Sequence, residues 1–268
     1  MNVIRYGAHP SQHGTLTLPG TPGPWPVVVI LHGGFWRTAY GAELGEPLAE
    51  QLVQHGVAAW NLEYRRVGND VVAGGGGWPT TCLDVAEGVD ALAGPGQLAA
   101  SGRLDLSRVV ALGHSAGGHL AGWLAGRAVR GPAAPGGAPV VPITGFVSQA
   151  GVLDLALAMA DNLGAGAAQA FLGQHGDDAS EVALASPVAY LPTAVPSVCV
   201  HGTADDVVPI NQSESYVTSA SAAGDRSRLV AVAGADHSAP IDVSSAAWAA
   251  CLTAALELAS VIGVPPHG

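Results

Sequence analysis

Val109-Val110-Ala111-Leu112-Gly113-His114-Ser115-Ala116-Gly117-Gly118 is the stretch from which the fold of this chain is read. A short apolar run enters a Gly-x-Ser-x-Gly turn, and the residues beyond it, His119-Leu120-Ala121-Gly122-Trp123-Leu124-Ala125, have helical spacing. A buried strand therefore turns sharply into a helix, with a serine at the tip. Small neighbours permit a strained backbone there and expose the hydroxyl, which is the arrangement of a nucleophile elbow. The competing reading is a glycine-rich turn whose serine only caps a helix.

Upstream of this turn, Val27-Val28-Val29-Ile30-Leu31 is continuously apolar and β-branched, as a strand covered on both faces should be. It runs into His32-Gly33-Gly34-Phe35-Trp36-Arg37. Glu43 to Gln54 has helical spacing stopped by Gly56, Val57 to Leu62 reads as a strand, and Thr80 opens a helix carrying Leu83, Val85, Ala86, Val89 and Leu92. Residues 1 to 20 alternate in two short pieces, Val3 to Tyr6 and Thr15 to Leu18, and predict an antiparallel edge hairpin.

Downstream, Gly131 to Pro142 is a Gly, Ala and Pro loop, and Ile143 to Gln149 a strand. Pro196 to His201 is a further strand, Asn211 to Ala223 a helix, Leu229 to Ala233 a last strand and Ser244 to Val261 a closing helix. Strand and helix alternate, which implies a mostly parallel sheet with right-handed crossovers and helices on both faces. The segment 154–192 interrupts that alternation and is expected to form a small cap on a single domain spanning 1–268.

Composition narrows the partners. The 268 residues are 49% hydrophobic and 12% charged, which argues for a packed core over disorder. A formal net charge of −11 with ten Lys and Arg leaves no basic patch for nucleic acid. Cys82, Cys199 and Cys251 have neither metal spacing nor the even count of a disulfide framework. The first residues lack a secretory pattern and no apolar window is long enough to span a bilayer, so the expectation is a cytoplasmic chain without a membrane partner.

A serine hydroxyl is a poor nucleophile at neutral pH and requires a base, itself oriented by an acid. His201-Gly202-Thr203-Ala204-Asp205-Asp206 follows one strand and presents two acids at its end. Gly234-Ala235-Asp236-His237 follows the final strand and presents a histidine. Ser115, then an acid at 205 or 206, then His237 is the chain order of an α/β-hydrolase triad. One N–H for a developing oxyanion should come from Ala116, directly after the serine.

With His-Gly-Gly-x-Trp at 32–36 and Gly-His-Ser-Ala-Gly-Gly at 113–118, the chain resembles the α/β-hydrolase superfamily, and within it the esterase and arylformamidase (kynurenine formamidase)-like groups. The likeness covers Leu16 to Leu258 and is weakest across the expected cap. It implies an α/β-hydrolase fold and a Ser115, Asp205, His237 triad, the spacing from His201-Gly202 selecting Asp205 over Asp206. It also implies further oxyanion donors at Gly34 and Phe35, with His32 bracing their loop. The chain departs from such families at Ser238-Ala239-Pro240, where a bulky apolar residue often follows the base.

Other residues keep two readings. Trp36 and Trp78 either wall a substrate pocket or are simply packed. Glu63, Arg65 and Arg66 either recognise a charged substrate group or form a structural ion pair. His114 and His119 lack a third partner for a metal, and Gly74 to Gly77 lacks the lysine of a phosphate loop. The expected activity is hydrolysis of small carboxylic esters or amides through an acyl-enzyme, without cofactor or metal. Alternatives are an arylformamidase of N-formylkynurenine-type amides, a small-peptide aminopeptidase, an acyltransferase, or a ligand-binding module that keeps the fold.

Overall fold

The computed structural model describes residues 2–260. β1 (Asn2–Arg5) and β2 (His13–Thr17) form the antiparallel hairpin expected at the start, and β2 continues antiparallel onto β4 (Ala58–Leu62). β3 (Trp25–Leu31), β5 (Leu104–His114), β6 (Gly145–Gln149), β7 (Ser197–Gly202) and β8 (Ser227–Val232) complete the sheet, parallel to one another and to β4. The spatial order is β1-β2-β4-β3-β5-β6-β7-β8. The strand order reverses direction at β3, with β4 on one side of it and β5 on the other, so the β3 and β5 ends lie side by side at the middle of the sheet.

The unbroken apolar strands are explained by two cores. Alternate residues of β3 and β5 divide between them: Val27, Val29, Leu31, Val109 and Ala111 face one side, and Val28, Ile30, Val110 and Leu112 face the other. The first side is covered by α2 (Thr80–Asp90), α4 (Ala116–Ala125) and α8 (Asn211–Ala222), and the short α3 (Pro95–Ala99) leads from α2 towards β5. The second is covered by α1 (Glu46–Gln54) and α9 (Ala246–Ser260), with Leu48, Leu52, Trp248 and Cys251 in contact with the strands. Each of these larger side chains contributes about 1.5–3 kcal/mol by leaving water.

Some boundaries differ from expectation. β5 begins at Leu104, ahead of its apolar run, because Leu104 and Asp105 pair with Trp25 and Pro26 of β3; the polar Asp105, Ser107 and Arg108 there give no hydropathy signal. The register with β3 shifts at Pro26 and Val27, where polar and apolar halves of the strand meet. The closing helix starts at Ala246 because Ser245 Oγ accepts the Trp248 N–H at 2.9 Å and so caps it. Val261, the expected end of that helix, lies outside the described residues.

Between β6 and β7 the chain forms three short helices, α5 (Leu155–Ala160), α6 (Ala167–Leu172) and α7 (Ala179–Ala185). They are anchored to the body by apolar side chains in the first core, Leu155, Phe171, Leu172 and Val182 among them, and through their own carbonyls. The Trp78 N–H donates to Phe171 O at 2.7 Å, Arg37 Nη2 to Gly164 O at 2.5 Å, His119 Nε2 to Ala185 O at 2.8 Å and Trp123 Nε1 to Leu184 O at 3.2 Å. Among the described residues no helix is long and apolar enough to cross a membrane.

Candidate active site

Ser115 sits between the end of β5 and α4 at φ 55°, ψ −117°, a conformation a side-chain-bearing residue rarely adopts. Its N–H donates to Gln149 O at 2.9 Å, and its carbonyl accepts the N–H groups of Gly118 at 2.9 Å and His119 at 3.2 Å. These bonds hold about 1–3 kcal/mol of backbone strain at this one residue. The flanking glycines are required by space. A Cβ on Gly113 would strike the Gly117 carbonyl, and one on Gly117 would strike the carbonyls of Leu31 and His32. The elbow therefore presses directly on the end of β3.

The acid and the base stand on adjacent loops that are stitched together. Thr203 N donates to Val232 O at 3.0 Å, Ala204 N to Ala235 O at 3.0 Å and Gly234 N to Thr203 Oγ1 at 2.9 Å. Across this seam Asp205 Oδ2 accepts His237 Nδ1 at 2.7 Å. Asp205 Oδ1 accepts the Val207 and Val208 N–H groups, each at 2.9 Å. Asp206 is exposed, and Asp236 accepts the Ser238 and Ala239 N–H groups of its own turn.

A second histidine reaches the same acid. His201 Nε2 lies 3.3 Å from Asp205 Oδ2 and 2.8 Å from Val208 O. Both are acceptors, so Nε2 carries the proton. Burial alone would raise the Asp205 carboxyl, but the bonds from His201, His237 and the Val208 amide outweigh it and hold the group well below the usual carboxylate range. Asp205 is thus a fixed anion behind His237. In the sequence His201 marks only the spacing to Asp205; the signal for its further role is a histidine ending the apolar Ser197-Val198-Cys199-Val200 run.

The loop after β3 carries three consecutive left-handed residues, Gly34 at φ 104°, Phe35 at 52° and Trp36 at 55°. Their turn is closed by Arg37 N to Gly34 O at 2.9 Å and tied down by Val67 N to Trp36 O at 2.7 Å. Among the described residues the Gly34 and Phe35 N–H groups donate to no other group. The Ala116 N–H, at the first position of α4, has no intrahelical acceptor. His32 braces the loop from behind: its ring stacks on Tyr64 at 4.3 Å, and its nitrogens meet Glu63 Oε1 at 3.0 Å and Gly33 O at 2.8 Å. Burial works against the Glu63 anion, yet the His32 bond and the His32 and Arg66 charges keep its carboxyl below the ordinary value.

Ser115, His237, Gly34 and Phe35 line one cavity of about 430 Å³. Its remaining wall is Tyr40, Leu44, His114, Val207, Ser238 and Ile241. No Lys, Arg, Asp or Glu borders it among the described residues. The His237 ring presents Nδ1 to Asp205, which leaves Nε2 as the nitrogen available to a hydroxyl. No direct hydrogen bond joins Ser115 Oγ and His237 among the described residues, and such bonds commonly tighten only with substrate bound.

The two tryptophans offered as pocket walls lie elsewhere. Trp36 points into the core, 1% exposed, stacked on Phe171 at 4.6 Å and donating to His119 Nδ1 at 3.3 Å. Trp78 packs against Trp123 and donates to Glu181. Aromatic area is better buried there than left at an open mouth, and the cavity wall is supplied by Tyr40, Leu44, Val207 and Ile241 instead. Arg65 pairs with Asp84 at 2.6 Å and Arg66 with Glu63 at 3.4 Å, so these charges serve structure. Cys82, Cys199 and Cys251 are buried free thiols. Burial pushes those of Cys199 and Cys251 up to about 12.

The family model described as BD-FAE matches residues 16–219. No curated protein matches the chain. Among solved structures, a truncated carbohydrate esterase from gut microbiota superposes with a TM-score of 0.77 at 20% identity, covering 97% of this chain and 96% of that one. The bifunctional GH43-CE protein of Bacteroides eggerthii gives 0.78 at 21% identity, covering 96% of this chain but 35% of its own. A butyrate-bound esterase of Thermogutta terrifontis gives 0.74 at 22% identity, covering 100% and 96%. At such identities the likeness is one of fold, and the fold is that of the α/β-hydrolases.

Proposed function

The chain belongs to the BD-FAE family, and from that premise we propose that it is a serine hydrolase of small, uncharged carboxylic esters. The observation that carries the reading is the 2.7 Å bond from His237 Nδ1 to the buried Asp205, made at the wall of the cavity that Ser115 also lines. The family match ends ahead of His237, so the base rests on this geometry.

In the proposed reaction Ser115 Oγ attacks the ester carbonyl while His237 Nε2 takes its proton, and Asp205 holds the imidazole and balances the imidazolium. The carbonyl oxygen becomes an oxyanion facing the Ala116, Gly34 and Phe35 N–H groups, at the N-terminal end of α4. The C–O bond breaks as His237 returns the proton to the leaving alcohol. Water then repeats the sequence on the acyl-enzyme and releases the acid. The apolar, uncharged wall favours neutral acyl and alcohol groups, since an unpaired charge would lose its hydration there.

We assign the segment 154–192 the role of a cap over this site. Its Gly164 packs so closely on the Phe35 ring that a Cβ would lie 2.5 Å from it. Amides of the arylformamidase type call for the same triad and belong in the substrate screen. The test is turnover of p-nitrophenyl acetate, short aryl esters and N-formyl aromatic amines by the natural protein and by Ser115→Ala, with labelling by a fluorophosphonate. A Thermogutta terrifontis esterase 2 structure is phosphonylated by sarin, and such phosphorus electrophiles report a nucleophilic serine directly. Labelling at Ser115 and loss of turnover in Ser115→Ala are expected. Unchanged turnover in that variant would sink the proposal, and an unlabelled Ser115 would favour a ligand-binding module.

A further inference from the structure

His114 has no place in the triad, yet its ring lies where three loops meet. On one edge Nε2 donates to the main-chain carbonyl of His237 at 2.8 Å. The two imidazoles stand 4.7 Å apart, inclined at 45°. On the opposite edge Nδ1 abuts the loop after β3, where a Cβ on Gly33 would lie 2.7 Å from it. Its own backbone is the residue before the nucleophile. Among the described residues this is the one side-chain hydrogen bond between the elbow and the base loop.

We propose that His114 is a positioning residue that sets the spacing between the nucleophile elbow, the loop bearing His237 and the loop bearing Gly34 and Phe35. The inference rests on the hydrolase reading above and deepens it. A planar ring with one N–H gives both a fixed width and a direction, which a purely apolar filler would not. The carbonyl of His237 can only accept, so the Nε2 proton is defined and Nδ1 keeps its lone pair. Burial, together with the nearby His237, brings the His114 pKa down to about 4. The ring therefore stays neutral beside His237 and does not oppose the charge His237 gains during attack. A base held less closely to its nucleophile slows the chemical step more than it weakens substrate binding.

Two variants separate direction from bulk: His114→Phe keeps the ring and removes the donor, whereas His114→Gln keeps an N–H of similar reach. Phe should lower kcat on p-nitrophenyl acetate by about tenfold to a hundredfold with KM nearly unchanged, and Gln should recover most of it. A second readout needs no turnover: imidazole 15N and 1H NMR of His237 in the resting protein, which should shift in His114→Phe and return in His114→Gln. If the spectra respond while the natural protein neither turns over nor labels at Ser115, the hydrolase reading fails and the positioning role stands. If kcat and the His237 signals are the same in His114→Phe as in the natural protein, the positioning role is overturned. Equal losses in both variants would also overturn it, because a donor at that position would then make no difference.

Discussion

Asp205→Asn tests the orienting acid with a change of one atom. Two amides, Val207 and Val208, each donate to Oδ1 at 2.9 Å, and an asparagine would keep its carbonyl oxygen on them. Its Nδ2 must then take the place of Oδ2, which accepts His237 Nδ1 at 2.7 Å. A donor now faces a donor, so the imidazole is driven to carry its proton on Nε2, where it can no longer receive one from Ser115. Losing the base in this way costs roughly 10⁴ in kcat, by analogy with the Asp-to-Asn change in the serine-protease triad, or about 5 kcal/mol of transition-state stabilisation. A second cost falls on the fold: His201 Nε2–H, 3.3 Å from Oδ2, also meets a donor, which removes about 1–3 kcal/mol of stability. The assay is kcat on p-nitrophenyl acetate at pH 8 with the urea midpoint measured alongside. Asp206→Asn, changed at an exposed carboxylate, is the control and should leave both quantities alone. A less than tenfold loss in a folded Asp205→Asn protein, or a comparable loss in Asp206→Asn, would refute the assignment.

Gly34→Ala should lower kcat by about 10²-fold or more while the urea midpoint falls modestly, because one misplaced oxyanion donor has that effect. The cause is local: at φ 104° an added Cβ would lie 2.6 Å from Tyr40 Cβ, and the loop must shift. Acidification should weaken the fold before it touches Asp205. Burial brings the His114 and His119 pKa values down to about 4 from an unfolded value of 6.5. Between those limits the unfolded chain binds protons that the native chain refuses, so stability falls as pH drops, by about 3 kcal/mol for each histidine at most. Urea midpoints across pH 7.5 to 4.5 check the slope, and His119→Gln should remove about half of it. The same sign applies at Asp205 in a lower window: its depressed value adds stability that is lost only as pH falls below about 4.

What was legible in the sequence follows from which features repeat locally. The β3 and β5 cores announce themselves because both faces of each strand are buried, so hydropathy does not alternate. The elbow is legible because Gly113 and Gly117 stand where any side chain would collide with backbone. The Asp205 and His237 loops were found from strand ends and chain order, and the structure brings those two side chains together. The polar start of β5 was missed because its pairing is made by backbone alone. Of the two readings of Trp36, pocket wall or packed core, the structure shows the second. Trp36 was weighed beside the glycines it adjoins in sequence, but a left-handed backbone turns it 1% exposed into the core. His201 reaches Asp205 only four residues on, at the end of an apolar run, whereas the His114 contact joins residues 123 apart and no local pattern marks it.

Besides their apolar contacts with the core, the three short helices between β6 and β7 are tied to the body through carbonyls of Gly164, Phe171, Leu184 and Ala185. Every residue type, proline included, offers that acceptor in the same way. The socket for this segment is therefore written in Arg37, Trp78, His119 and Trp123, all outside it. Outside the core contacts of Leu155, Phe171, Leu172 and Val182, evolution, or a protein engineer, can rewrite exposed side chains of the insertion without cutting these bonds.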